Sequence, residues 1–244
     1  MPNEQIIYFG DTAHLPYGDK SPGAVAQYSK EIARFLLAKG VKAIVIACNT
    51  ASAFGYHKVK EVIPEEVPII NVIDPMARFV ASQNHLKDIG IIGTKGTINS
   101  NIYPTKIAEL SSEINIHSIA TPLLAPMVEE NFANTQVSTL VLQEYIGKIS
   151  PYINGLILGC THYPLLKDDI RKVFGSGIEI FDSSEVTAIA LKQELESRDL
   201  LGNNVDPKYQ FYISDYTESF ERNAQMFFGH SLHLKELNIW SSKV

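Results

Sequence analysis

Only two cysteines occur among the 244 residues, and both close a short aliphatic run. Ala43-Ile44-Val45-Ile46-Ala47 leads into Cys48-Asn49-Thr50, and Leu156-Ile157-Leu158-Gly159 leads into Cys160-Thr161-His162. Runs of this kind read as buried strands whose carboxyl ends deliver small reactive groups into a crevice. The chain thus presents one thiol-bearing strand end twice, 112 positions apart. Two thiols on opposite walls of a cleft suit one chemistry especially well: taking a proton off one face of a carbon and returning one to the other. One sulfur must act as thiolate base and the other as protonated acid. A free thiol titrates near about 8.5, so each needs a neighbouring group or a helix N-terminus to tune it. His162 and Asp11 are the candidate tuning groups.

Each of these residues also has an ordinary role. Cysteine is among the most buried residue types, and a single strand cysteine is usually packing. Matched flanks around both cysteines favour chemistry for the pair. Cys48, Cys160 and His162 could instead be three zinc ligands, although no compact Cys-x-x-Cys or His-x-x-x-His spacing accompanies them. Glu129 and Glu130 open a helix, where they would complement its dipole. Asn49, Thr50 and Thr161 can cap helices, which does not prevent contact with a ligand. His14, His57, His85, His117, His230 and His233 lack a comparable setting and read as surface residues.

The elements that would position the thiols alternate regularly. Strands are expected at 6–9, 43–47, 69–73, 88–92, 114–120, 156–159, 178–181, 209–213 and 231–237. Helices are expected at 21–39, 51–62, 75–83, 99–110, 138–149, 185–197 and 217–228, with a loop running into a helix over 122–131. This rhythm predicts an α/β fold of doubly wound parallel sheets. Gly10-Asp11-Thr12 and Gly93-Thr94 echo each other as the two cysteine strands do. The expected architecture is two pseudosymmetric α/β lobes, residues 1–75 with 187–244 and residues 76–186, with the site in the cleft between them. Ligands of open α/β sheets bind outside the carboxyl ends of the strands, where all four echoed segments fall.

Composition narrows the classes. The net charge of −6, with no lysine- or arginine-rich run, argues against a nucleic-acid partner. No apolar stretch approaches the roughly 20 residues of a membrane helix, and no signal-peptide pattern opens the chain. Two cysteines do not make a disulfide framework, so the expected compartment is cytoplasmic. No glycine-rich phosphate loop of dinucleotide type is present.

Tyr8-Phe9-Gly10-Asp11-Thr12, Pro16-Tyr17-Gly18, Ala47-Cys48-Asn49-Thr50-Ala51, Gly93-Thr94 and Gly159-Cys160-Thr161-His162-Tyr163-Pro164-Leu165 together resemble glutamate racemase. That is the cofactor-independent branch of the aspartate/glutamate racemase superfamily, and the likeness runs over essentially the whole chain. It implies an isomerase that interconverts L- and D-glutamate with no cofactor, supplies D-glutamate to peptidoglycan synthesis, and forms a homodimer. By that resemblance Cys48 and Cys160 are the proton donors and acceptors, with Cys48 serving D-glutamate and Cys160 serving L-glutamate. Asp11, Glu129 and His162 match positions that assist the thiols. Pro16, Tyr17, Gly18, Asn49, Thr50, Thr94, Thr161 and His162 match substrate-binding positions. Family members also carry a strand and an Asp-Ser turn ahead of the segment that opens here, so the expectation is a first lobe lacking one central strand. The alternatives are a racemase for aspartate or another amino acid, and a truncated relative that only binds.

Overall fold

The computed structural model describes residues 1–149, 153–229 and 232–240. Nine strands alternate with ten helices among the described residues. In order they are β1 (Ile6–Gly10), α1 (Pro22–Ala38), β2 (Ile44–Ile46), α2 (Asn49–Lys60), β3 (Ile69–Asn71) and α3 (Ile73–Ala81). Then come β4 (Asp88–Gly93), α4 (Lys95–Asn99), α5 (Ile102–Leu110), β5 (Asn115–Ala120), α6 (Leu124–Glu129), α7 (Gln136–Ile146) and β6 (Gly155–Gly159). The chain finishes with α8 (Lys167–Phe174), β7 (Glu179–Phe181), α9 (Ser183–Ser197), β8 (Tyr209–Ile213), α10 (Glu218–Phe228) and β9 (Leu234–Glu236). All pairings are parallel, as a chain of βα units requires.

β5-β4-β6-β7 form one continuous sheet, in that order. Its central strands β4 and β6 are apolar on both sides because helices cover both faces. Ile89, Ile91 and Ile157 point into a cluster with Val72, Met76, Val80 and Tyr103. Ile92, Leu156 and Leu158 point the other way, against Leu124, Leu142, Leu166 and Ile170. Each fully buried Leu or Ile contributes about 1.5–3 kcal/mol, so a polar residue in either strand would be costly.

The remaining strands form two separate ladders, β1-β8-β9 and β2-β3. The tail therefore returns to pair with the first strand, as expected. β2 is half-covered: Ile44 and Ile46 are buried against α1 and α2, whereas Val45 is 38% exposed. Val45 borders an apolar groove shared with Ala47, Val72, Ala188 and Leu191. Helices α1 and α2 pack closely because Gly55 faces Ser29, whose Oγ would lie 2.2 Å from a Cβ at that position.

Several boundaries differ from expectation, and Glu129 ends α6 where a helix start is expected. The strand expected over 69–73 ends at Asn71, whose Oδ1 accepts the Ile73 and Asp74 N–H groups and so starts α3 two residues earlier. The helix expected over 99–110 starts only at Ile102, and an unexpected short helix, α4, precedes it, with Asn101 between them in the left-handed region (φ 54°). Asparagine tolerates that conformation better than most residues. The last strand is shorter, Leu234–Glu236, and position 231 of the expected span lies outside the described residues, as does His230.

Candidate active site

Both thiols stand just past strand ends, each at the start of a turn or helix. The Cys48 Sγ occupies the N-cap of α2 and accepts the Ala51 N–H at 3.5 Å. Burial is the largest influence on this thiol and pushes it up to about 11, offset in part by hydrogen bonds from Ala51 and Thr50. The charge of Cys160 adds to the rise, so the surroundings favour the protonated form of the Cys48 thiol.

Cys160 follows β6, and its carbonyl accepts the Tyr163 N–H at 3.1 Å. Tyr163 is fully buried and donates its hydroxyl to the Thr121 carbonyl at 2.9 Å, which pins the turn to the end of β5. His162 leans back over the turn, its Nδ1 3.7 Å from the Cys160 Sγ and its Nε2 3.2 Å from the Glu129 carboxylate. Burial works to lower the imidazole, but hydrogen bonds and charge from Cys160 and Glu129 prevail and raise it to about 10. Cys160, His162 and Glu129 thus form one chain of contacts, with a proton held on the imidazole beside the sulfur.

Asp11 sits at the end of β1 with its side chain only 3% exposed. Tyr17 donates its hydroxyl to Oδ2 at 2.6 Å, and Ser214 donates to Oδ1 at 2.8 Å. His14 Nδ1 lies 2.9 Å from both oxygens. Tyr17 packs on the same apolar cluster as Cys48. Burial, then the bond to Asp11, pushes the Tyr17 phenol far above its ordinary range, so it remains a donor.

Of the other matched positions, Thr50, Thr94 and Gly18 meet one another. Asn49 is 2% exposed; its Oδ1 accepts the Tyr103 hydroxyl at 2.8 Å, and its Nδ2 is buried without a partner. A buried donor left unpaired costs about 1–3 kcal/mol, which a ligand oxygen would recover. Thr50 Oγ1 meets Thr94 Oγ1 at 2.8 Å and Thr97 Oγ1 at 3.1 Å. Gly18 abuts Thr94, whose Cβ would be 2.5 Å from a Cβ at position 18. Thr161 is exposed and borders the groove beside Val45 and Ala47. Pro16 is exposed, one residue before the Tyr17 turn. Among the described residues, no three His, Cys, Asp or Glu side chains converge as a metal ion would need.

Several participants were not expected from sequence. His14 is a partner of Asp11, not a surface residue, and Ser214, Tyr103 and Thr97 hold Asp11, Asn49 and Thr50. His85 and His117 do lie at the surface, paired with Glu179 and Asp88. Only the Gly-Asp-Thr-Ala-His spacing, with His14 three residues after Asp11, hinted at the first of these contacts.

Comparison with known proteins agrees with this geometry. The family model for Asp/Glu/hydantoin racemase matches residues 1–191. A glutamate racemase of Syntrophus aciditrophicus is 41% identical over 234 residues, covering 95% of this chain and 86% of the relative. The crystal structure of glutamate racemase from Francisella tularensis in complex with D-glutamate superposes with a TM-score of 0.91 at 36% identity, covering 99% of this chain and 90% of that one. A glutamate racemase isoform of Bacillus anthracis gives 0.90 at 37% identity, covering 97% and 88%. With paired thiols at matching strand ends and this similarity along its length, the chain belongs to the Asp/Glu/hydantoin racemase family.

Proposed function

We propose that this protein interconverts L- and D-glutamate by moving the α-proton between two thiols, with residues 1–75 and 187–244 forming one wall of the cleft and residues 76–186 the other. The reading rests above all on two thiols at strand ends, Cys48 at the N-cap of α2 and Cys160 just past β6, with His162 and Glu129 beside the second. The relatives named glutamate racemase, one of them crystallised with D-glutamate, support the substrate.

In the L-to-D direction the Cys160 sulfur accepts the α-proton as a thiolate, and the C–H electron pair passes to the α-carbon and its carboxylate. Protonated His162 steadies the negative charge on that sulfur before transfer. The protonated Cys48 thiol then gives its proton to the opposite face, leaving Cys48 as thiolate and Cys160 as thiol. The D-to-L direction is the mirror sequence, so no proton or electron is gained or lost. In this reading the unpaired Asn49 Nδ2 donates to the carboxylate as charge builds there, the kind of stabilisation that contributes most when the donor is already oriented. Tyr17 and Gly18, with Pro16 before them, and Thr50, Thr94 and Thr161 complete the substrate contacts in this reading. We expect the protein to work as a homodimer and without a cofactor.

The test is incubation with L-glutamate in deuterated water, alongside aspartate and other amino acids. Deuterium should enter the α-position and D-glutamate should accumulate, with aspartate inert. Each of Cys48→Ala and Cys160→Ala should abolish racemisation. Activity surviving in the double variant would refute the two-thiol reading, and preference for another amino acid would reassign the substrate.

A further inference from the structure

We infer that His14 is a positioning residue for the site: it fixes the Asp11 carboxylate and, through it, Tyr17, which packs on the same apolar cluster as Cys48. This rests on reading Cys48 as one of the two reacting thiols. The Asp11 carboxylate is buried and takes three donors from three separate stretches of chain. Ser214 closes β8, Tyr17 lies on the turn after Pro16, and His14 ends the short 3-10 turn that begins at Thr12. Of the three, His14 alone contacts both carboxylate oxygens, each at 2.9 Å.

The imidazole is itself held in place. Tyr28 of α1 stacks on it with centroids 3.9 Å apart and planes within 18°. Trp240, from the end of the chain, meets it edge-on at 4.8 Å and also packs on Tyr28 at 5.4 Å. Tyr28 in turn contacts Tyr17 at 6.0 Å. The aromatic box and the carboxylate leave the ring one orientation, with Nδ1 toward Asp11. A residue whose orientation is fixed on both sides in this way serves geometry, and His14 has no contact with either sulfur among the described bonds.

Removing the imidazole leaves a buried carboxylate short of its largest partner and free to turn. Tyr17 would follow it, and with it the packing that Tyr17 shares with Cys48. The expected change is a loss of kcat/KM, because Asp11 acts through Tyr17. Small displacements next to a reacting atom can cost up to about 100-fold, and the indirect link here predicts about 10-fold for His14→Ala.

The test uses His14→Ala, His14→Asn and His14→Gln in the full chain. Asparagine puts its amide nitrogen where Nδ1 was, whereas glutamine extends its own beyond that point. Glutamate racemisation should fall in the Ala and Gln variants and return to within about 3-fold of the parent in the Asn variant. In parallel, each variant carried on Cys160→Ser is alkylated with iodoacetamide, which reads Cys48 alone. Alkylation should slow in Ala and Gln and recover in Asn. If His14→Ala does not fold, the Asn and Gln pair decides, and equal behaviour of those two overturns the inference. Unchanged Cys48 alkylation in all three also overturns it. An alkylation response in a protein that never racemises glutamate would keep the His14 role and reject the substrate reading.

Discussion

The Thr50 and Thr94 hydroxyls lie 2.8 Å apart, and each is 3.1 Å from the hydroxyl of Thr97. This triangle joins the first turn of α2, two residues beyond Cys48, to the N-cap of α4 at the end of β4. It fixes how the Cys48 strand end stands relative to the four-stranded sheet that carries Cys160. Thr50→Val keeps the shape and removes the hydroxyl, leaving two buried hydroxyls one partner short. It should lower stability by about 1–2 kcal/mol and reduce turnover, read from urea melts and racemisation rates on the same preparations. Parent-like values in both would show that the triangle carries no strain between the walls.

Gly18 makes the same junction sensitive to volume. A methyl at this position would stand 2.5 Å from the Thr94 Cβ and 2.8 Å from its Cγ2, inside any real contact distance. Gly18→Ala must push Thr94 and the α4 N-terminus away from Thr50. We expect at least about a 100-fold loss of kcat/KM, with a smaller loss of stability because the Tyr17 turn lies near the surface. Comparison with Gly23→Ala, where a Cβ meets nothing within 4 Å, separates crowding from a general effect of alanine.

His162 gives a pH signature whose sign can be worked out. Its contacts with Cys160 and Glu129 raise the folded-state imidazole to about 10, above the ordinary value of about 6.5. A group raised on folding contributes stability in full below the ordinary value and loses it as pH rises toward the folded value. The melting-temperature difference between parent and His162→Asn should therefore be largest below about pH 6.5 and shrink between about 6.5 and 10. Glu129→Gln should move that window to lower pH. A difference independent of pH across this range would remove the charged imidazole from the account.

The strand ends carrying the chemistry were legible because their information is local. A short aliphatic run, a small residue and a polar cluster announce themselves in ten positions, and both cysteine strands are legible that way. The neighbours of Asp11 were not legible. Ser214 follows it by 203 positions, and Tyr28 and Trp240, which hold His14, belong to an α-helix and to the chain's far end. Sequence spacing cannot express a box assembled from such distances, so His14 looked like any exposed histidine. The same holds for Tyr103, whose hydroxyl reaches Asn49 across 54 positions from another helix. Finer boundaries failed for local reasons: Asn71 caps α3 with its own side chain, and Asn101 delays the expected helix to Ile102 behind a short α4.

Asn49 separates binding from stability in a way that can be measured. Its Oδ1 already accepts the Tyr103 hydroxyl, while its buried Nδ2 has no partner in the free protein. Asn49→Ala removes both atoms and strands the fully buried Tyr103 hydroxyl, which should cost about 1–3 kcal/mol. Adding Tyr103→Phe removes that second polar group, and deleting both members of a buried pair is often close to neutral. The double variant should therefore melt within a few degrees of the parent. It should still fail to racemise glutamate, because the amide proposed to hold the substrate carboxylate is gone. Tyr103→Phe alone keeps the Nδ2 and should retain most of the activity. Thermal shift with D-glutamate completes the test: ligand should raise the melting temperature of the parent and of Tyr103→Phe, and leave both Asn49 variants unmoved. If the Asn49 variants respond to D-glutamate as the parent does, the unpaired amide is only a cost of the fold and the substrate carboxylate is held elsewhere.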